Sequence, residues 1–378
     1  MFRMFRTSIE ILFLVTGLLA IALLLACGDE QSSSPTPETL SGSPAPTSDT
    51  TTESSGSVSR LDEVRRRGYL ICAGSDAIPG FGYLAGGENA GFDIDLCRAV
   101  AAAVLGDPGA VEVRVSIPTG LGDDLRSGEV DMAARVITAT ATRESQWGNF
   151  VQTMYYDGQG FVVRRSLGVA AARELTGASV CVTANTTTEL NMADFSRLHG
   201  LGLRAVAYER TADAVDAYLD GHCAAFTTDH SGLYAYLSSF PNPEDHLVLP
   251  DVISEEPLTP MVPHGDDQWH DIVSTVMAIL IYAEAYGVAS DSVPTSATGD
   301  AKVDRLFGFE GSFGQDGLGL SRTVAQDVIR GVGNYGEIYE RHLAPLGLER
   351  RGSRNALWAD APCSDCPRGG QIYAFPLR

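Results

Sequence analysis

Val111-Glu-Val-Arg-Val-Ser-Ile117, together with the next twenty residues, decides the fold class. Apolar residues alternate from Val111 to Ile117 with a period of two, which predicts a half-buried strand. Leu121 to Ser127 predicts a helix that ends at Gly128, and the apolar run from Val130 to Ile137 predicts another strand. A strand, a helix and a second strand in this order indicate an α/β fold.

The same plan appears on both sides of this stretch. Upstream, Tyr69 to Ala73 predicts a strand, and Asp93 to Leu105 carries apolar residues at helical spacing. Downstream, Ala212 to Asp220 predicts a helix, and Cys223 to Phe226 predicts a strand that opens onto Thr227-Thr-Asp229. The roughly 320 residues that follow the first 58 are too many for one small core, so we expect two α/β lobes.

The first residues of the chain predict an export signal. Arg3 and Arg6 precede an apolar stretch from Ile11 to Leu25, which leads into Leu24-Leu-Ala-Cys27. This pattern predicts a lipoprotein signal peptide over residues 1–27, with a lipid attached to Cys27 after cleavage. An uncleaved membrane anchor is the alternative, and both place the protein outside the cytoplasm, at the cell surface or in the periplasm.

Residues 28–58 consist mainly of Ser, Thr, Pro and Gly and show no apolar periodicity. Such a segment buries too little apolar surface to fold, so we predict a disordered linker. About 30 flexible residues reach roughly 30 Å, enough to tether a folded domain above a membrane.

Composition excludes several functions. The chain carries a formal net charge of -21, and removal of two arginines and one glutamate with the signal peptide leaves -22. A surface so acidic argues against nucleic-acid binding.

The apolar centre of Trp269 to Gly287 lies between Asp271 and Glu284 and is too short to span a bilayer, so it predicts a buried helix.

Six cysteines remain besides Cys27, an even number that fits disulfide pairing in an oxidising compartment. Six cysteines allow 15 connectivities. The pairing we expect is Cys72 with Cys97, Cys181 with Cys223, and Cys363 with Cys366. Cys363-Ser-Asp-Cys366 also has the spacing of half a metal site or a redox pair, but no second such motif or histidine cluster accompanies it. We therefore predict no metal and no cofactor.

Polar residues follow the predicted strands where ligands collect in α/β sheets. Thr138-Ala-Thr-Ala-Thr-Arg143 supplies hydroxyls and a planar guanidinium, which suit a carboxylate. Asp229 follows the second strand and suits an ammonium group. Between them, Asn185-Thr-Thr-Thr-Glu189 follows the strand Ser179 to Thr183 and offers free backbone N–H groups at a helix start. Together these groups match a zwitterion, although each alone is also explained as a salt bridge or a helix cap.

The chain resembles the general L-amino-acid-binding proteins of polar amino-acid ABC importers, within extracellular solute-binding protein family 3. The resemblance covers nearly the whole chain after Leu61. It rests on Gly91-Phe-Asp-Ile-Asp-Leu-Cys97, Ser127-Gly-Glu-Val-Asp131, Tyr155-Tyr-Asp-Gly-Gln-Gly-Phe161, Thr186-Thr-Thr-Glu-Leu190, Thr227-Thr-Asp-His-Ser-Gly-Leu233 and Asn334-Tyr-Gly-Glu-Ile338.

This resemblance implies a two-lobed Venus-flytrap fold of the periplasmic-binding-protein type with two crossover strands. It places residues 59–157 and 258–345 in the first lobe, residues 158–257 in the second, and residues 346–378 in a C-terminal extension packed on the first. The crossovers are expected at Tyr155 to Phe161 and at Leu258 to Pro263.

The resemblance also implies roles for single residues. Arg143 is expected to bind the α-carboxylate with Thr138, Thr186 and Thr187, and Asp229 the α-amino group. Asp76, in a loop expected to line the side-chain pocket, resembles the acid of basic amino-acid binders, although a solvated turn residue is an equal explanation.

Capture of an L-amino acid for an ABC permease, by a membrane-tethered monomer without catalytic residues, is therefore the expected function. An amino-acid-sensing receptor component and a dehydratase-like enzyme on the same fold are the alternatives. Asn185 in place of a glycine, Gly120-Leu-Gly122 in place of polar residues, and the absence of side-chain hydroxyls at Val136 and Ile137 depart from the family pattern.

Overall fold

The computed structural model describes residues 59–360 and 369–378. The predicted signal peptide with Cys27, the linker up to residue 58, and Cys363 with Cys366 lie outside the described residues. The strands, numbered in chain order, are β1 (Leu70–Gly74), β2 (Ala77–Ile78), β3 (Gly82–Ala85), β4 (Glu88–Ala90), β5 (Val111–Val115), β6 (Met132–Ala133), β7 (Asn149–Phe150), β8 (Tyr155–Asp157), β9 (Gln159–Arg164), β10 (Ser179–Thr183), β11 (Arg204–Tyr208), β12 (Ala225–Asp229), β13 (His246–Val248), β14 (Glu256–Leu258) and β15 (Met261–Val262).

The helices alternate with these strands as an α/β fold requires. They are α1 (Arg60–Arg67), α2 (Phe92–Leu105), α3 (Leu121–Ser127), α4 (Ala141–Gln146), α5 (Thr187–His199), α6 (Thr211–Leu219), α7 (His230–Leu237), α8 (Asp267–Ala285), α9 (Ala301–Leu306), α10 (Val324–Val332) and α11 (Tyr335–His342). Short 3-10 turns cover Arg165–Leu167, Ala172–Glu174, Pro243–Asp245, Gln315–Leu318 and Ala344–Leu346.

Two five-stranded sheets form the two lobes, which confirms the predicted fold class. The first has the order β5-β1-β6-β15-β7, and the second has the order β11-β10-β12-β9-β13. In each sheet the central strands pair in parallel, β1 with β5 and β6, and β10 with β11 and β12. An antiparallel strand joins each parallel set, β15 beside β6 and β9 beside β12.

A two-stranded antiparallel ribbon links the sheets. It pairs β8 with β14, with Tyr155 opposite Leu258 and Asp157 opposite Glu256. The second crossover therefore begins at Glu256, before the Leu258 to Pro263 segment expected from the sequence. Met261 and Val262 within that segment already belong to the first sheet.

The predicted strand from Val130 to Ile137 is shorter in the structure, where only Met132–Ala133 form β6. Val136 explains the difference, because its φ of 56° lies in the left-handed region. A β-branched residue rarely adopts this conformation, and it ends an extended strand. The backbone N–H of Val136 then donates to Asp93 Oδ2 at 2.9 Å instead of to a neighbouring strand.

Helix α8 anchors the main core and corresponds to the predicted buried helix. Its residues from Ile272 to Ala283 are all buried. The ring N–H of Trp269 donates to Asp131 O at 2.8 Å, which ties α8 to the end of the first sheet. Within the described residues, no helix combines the length and hydrophobicity needed to cross a membrane.

Two of the three expected disulfides lie in the described residues and are present. Cys72 on β1 joins Cys97 on α2, and Cys181 on β10 joins Cys223 just before β12. Each bond therefore fixes a central strand of one sheet to a neighbouring segment.

Candidate functional site

A cleft lies beyond the carboxyl ends of β6, β10 and β12, where α/β sheets place their ligands. Its walls come from both lobes. The first lobe contributes Arg135, Thr138, Arg143 and Trp147, and the second contributes Thr183, Thr186, Thr187, Asp229 and Tyr236. The structure therefore brings together five of the six predicted ligand-binding residues.

Arg143 belongs to the short helix α4, whose N-cap is Thr140. Its Nη1 donates to Thr138 O at 2.9 Å, which fixes the guanidinium against the cleft wall. Its Cζ lies 4.8 Å from the centre of the Trp147 ring, in a cation–π arrangement. Burial lowers the pKa of Arg143, and the carboxylates of Glu256 and Asp229 oppose that effect. Arg143 therefore presents to the cleft a partly desolvated cation whose position is fixed by Thr138 and Trp147.

Gly122 explains how Trp147 reaches Arg143. A Cβ atom at Gly122 would come within 2.6 Å of the Trp147 ring, so only a glycine on α3 leaves space for the indole. The glycine at position 122, one part of the departure at Gly120-Leu-Gly122, thus has a structural reason. Sequence reasoning missed Trp147, because nothing in its neighbours signals that contact.

The threonine run starts helix α5 as expected from the sequence. Thr186 is the N-cap, and its hydroxyl accepts from Glu189 N at 3.3 Å while Glu189 Oε2 accepts from Asn185 N at 2.8 Å. Asn185 has a φ of 57°, a left-handed conformation that asparagine tolerates better than most residues. Asn185 therefore keeps the backbone geometry that a glycine would give.

Asp229 ends β12 and is buried against the cleft. Burial raises its pKa well above the usual aspartate value, and the nearby carboxylates of Asp157 and Glu256 raise it further. Among the described residues, no hydrogen bond satisfies its carboxylate. Such a group gains most from a cation that enters the cleft.

Asp157 and Glu256 lie opposite each other in the ribbon between the lobes. Burial raises the pKa of Asp157 to about 6, although the backbone N–H of Gly158 donates to it at 2.8 Å. Glu256 accepts from Asn191 Nδ2 at 2.6 Å and from Ser254 Oγ at 2.6 Å. Sequence reasoning missed both acids, whose carboxylates act electrostatically on Asp229 at this end of the cleft.

Thr138 and Thr187 bring the two lobes into contact. Their hydroxyl oxygens lie 3.4 Å apart, and the Thr187 hydroxyl also donates to Glu256 Oε2 at 3.2 Å. The first lobe, the second lobe and the ribbon therefore meet through one short chain of hydrogen bonds beside the cleft.

Arg135 is a further cleft residue that the sequence did not single out. Burial lowers the pKa of its guanidinium to about 10, so it remains charged at neutral pH. Its Nε is buried without a hydrogen-bond partner in the described structure, and so is the hydroxyl of Tyr236 on the opposite wall.

Asp76 does not line this cleft. It lies in a smaller adjoining pocket with Arg210 and Ser116, and the two spaces meet at Arg135 and Tyr236. Where the structure is described, no group of three or more His, Cys, Asp or Glu side chains could hold a metal ion. His230 follows Asp229 directly, but its Nε2 lies 3.2 Å from Asp251 O and does not form a triad with its neighbours.

The two lobes, the connecting ribbon and the polar cleft between them define a solute-binding protein. The profile of the bacterial extracellular solute-binding proteins, family 3, matches residues 70–291. The chain belongs to this family.

Individual relatives agree with that assignment. The chain is 42% identical to the general L-amino acid-binding periplasmic protein of Rhizobium johnstonii, over 86% of this chain and 94% of that protein. It is 40% identical to the glutamate/glutamine/aspartate/asparagine-binding protein of Rhodobacter capsulatus, over 85% and 94%. A solved periplasmic binding protein of an ABC transporter from Brucella ovis, with glutathione bound, superimposes with a TM-score of 0.79 at 38% identity. The superposition covers 85% of this chain and 100% of the Brucella ovis chain.

Proposed function

We propose that this protein captures L-amino acids outside the cytoplasm and delivers them to an ABC permease. The observation that carries the proposal is the placement of Arg143 and Asp229 on the two walls of one cleft. A guanidinium fork matches a carboxylate, and a desolvated aspartate matches an ammonium group. The relatives in Rhizobium johnstonii and Rhodobacter capsulatus, both named as amino-acid-binding proteins, support the same ligand class.

The α-carboxylate binds to Arg143 with Thr138, Thr186 and Thr187, and the α-ammonium binds to Asp229. Residues 59–157 and 258–345 act as one lobe, residues 158–257 act as the other, and residues 346–378 pack on the first. A ligand that contacts both lobes stabilises the closed arrangement by its additional contacts there. No chemical step is needed, and the permease recognises the closed form.

The protein is exported and tethered to its membrane as a monomer, through a lipid on Cys27 and the linker over 28–58. Fractionation of cells that express the wild type and the Cys27→Ala variant tests this part of the proposal. The wild type should sediment with membranes and incorporate labelled palmitate, and Cys27→Ala should do neither. Membrane association that persists in the variant would favour an uncleaved anchor.

Binding is tested by isothermal titration of the ligand-stripped full-length protein in detergent with the proteinogenic L-amino acids. Heat of binding with several L-amino acids, and none with D-amino acids or sugars, would support the proposal. No heat of binding with any L-amino acid would overturn it.

A γ-glutamyl peptide such as glutathione is a second candidate ligand. It carries the same α-amino and α-carboxyl groups, and the cleft continues past Arg135 into the adjoining pocket. The glutathione-bound relative supports this candidate. Competition between glutathione and L-glutamate in one titration distinguishes a shared site from no binding at all.

A further inference from the structure

One cation of the cleft has no role in holding an α-amino acid backbone. Arg143 and Asp229 pair with the α-carboxylate and the α-ammonium group, as proposed above. Arg135 then has no ligand group assigned to it. Arg135 lines the same cleft, yet it makes no hydrogen bond or ion pair with any residue of the described chain, and its Nε is buried without a partner. A desolvated guanidinium of this kind is costly unless a ligand satisfies it.

The groups around Arg135 do not supply the missing partner. Asp93 is the acid whose charge raises the pKa of Arg135 most. Its Oδ2, however, accepts a hydrogen bond from Val136 N at 2.9 Å. Burial raises the pKa of Asp93 to about 7, so near neutral pH its negative charge is only partial. The left-handed backbone at Val136 holds the segment in place, and Arg135 therefore remains positive and undercompensated.

Tyr236 adds a second unmet group at the same point. Its hydroxyl is buried, lacks a hydrogen-bond partner in the described structure and lies where the cleft meets the adjoining pocket. A guanidinium and a phenol are both donors, and together they match an oxygen-rich, negatively charged group. A cationic ligand side chain would instead be repelled by Arg135.

We propose that Arg135 and Tyr236 bind the side-chain carboxylate of an acidic amino acid, so that the cleft prefers L-glutamate and L-aspartate to neutral and basic amino acids. This inference rests on the proposed function, because it places the α-carboxylate at Arg143 and the α-ammonium at Asp229. It assigns the side-chain subsite to Arg135 and not to Asp76.

Titration calorimetry with L-glutamate, L-alanine and L-arginine on the wild type, Arg135→Gln and Arg135→Lys tests the inference. The wild type should bind L-glutamate at least about tenfold more tightly than L-alanine, since one charge-assisted pair contributes that much. Arg135→Gln should reduce that preference by about tenfold or more, and Arg135→Lys, which keeps the charge but loses the fork, should give an intermediate value. Tyr236→Phe should reduce it by a smaller factor.

Arg204→Gln is the matched control, because Arg204 is exposed on β11 and the substitution removes the same charge. It should leave the affinities for all three ligands as in the wild type. A glutamate-to-alanine ratio that is the same in the wild type and both Arg135 variants would overturn the inference, as would tighter binding of L-arginine than of L-glutamate by the wild type. Failure of the wild type to bind any amino acid would instead refute the proposed function.

Discussion

Arg143→Ala should remove the strongest contact of the cleft with the α-carboxylate. The guanidinium can donate two parallel charge-assisted hydrogen bonds, each contributing about 1.5–3 kcal/mol. Nη1 already donates one hydrogen bond to Thr138 O at 2.9 Å, but the other N–H groups of the guanidinium remain available for the ligand. A loss of about 3–4 kcal/mol corresponds to an affinity for L-alanine that is roughly 100- to 1,000-fold weaker.

The same substitution should cost some stability, because Arg143 also holds the fold locally. Its bond to Thr138 O contributes about 1 kcal/mol and its contact with the Trp147 ring about 0.5–1 kcal/mol. For a folded part of this size, such a loss lowers the midpoint of thermal unfolding by about 2–3 °C. Arg143→Lys keeps a point charge without the planar fork and should lose about tenfold in affinity.

Isothermal titration with L-alanine at pH 7.5, with unfolding followed by circular dichroism, separates these effects. Arg197→Ala provides the control, since Arg197 is exposed on α5 and its one ion pair among the described residues is with Asp194 on the same helix. It should alter neither quantity. If Arg143→Ala binds L-alanine within threefold of the wild type while remaining folded, the assignment of the carboxylate site is wrong.

Three further measurements probe other parts of the site. Burial raises the pKa of Asp229 in the free protein, and a ligand ammonium favours its ionised form, so the affinity for L-alanine should rise between pH 5 and pH 8. Calorimetry in two buffers should detect proton release, and Asp229→Asn should reduce both the proton release and the rise in affinity. Thr138→Val removes the hydroxyl that meets Thr187 and should weaken L-alanine binding about three- to tenfold by loosening closure, so an unchanged affinity in the same assay would contradict that role. Replacing Cys181 and Cys223 with serine opens a loop of 42 residues and should lower stability by about 3–4 kcal/mol in chemical denaturation, a loss that reduction of the wild type should reproduce in part.

The sequence predicted those parts of the structure that depend on local patterns. Leu121–Ser127 forms the helix expected from its apolar spacing and from Gly128, and Ser179–Thr183 forms the expected strand. Local composition suffices in these segments, because the residues that start and stop each element are close in sequence. Polar residues after strands also gave five of the cleft residues, since the carboxyl ends of parallel strands meet at one edge.

Residues whose role depends on distant parts of the chain were not predicted. The sequence placed Arg135 inside a predicted apolar strand. In the structure the left-handed backbone at Val136 ends the extended segment, and Arg135 lies at the cleft. Glu256 reaches the cleft through pairing with Asp157, about a hundred residues earlier. No sequence signal marked either contact, because tertiary structure alone brings these segments together.

The position of the acids gives a physical link between ligand binding and closure. Asp157 and Glu256 face each other in the ribbon that joins the lobes, and both raise the pKa of Asp229. Ionising all three neighbouring carboxyl groups at once is unfavourable, and the ammonium group of a ligand offsets that cost. Thr187 connects this cluster to the first lobe, because its hydroxyl contacts both Glu256 and Thr138. A ligand without an amino group cannot offset the cost of ionising Asp229, so an α-hydroxy or α-keto acid should bind more weakly than the matching amino acid even though it still reaches Arg143.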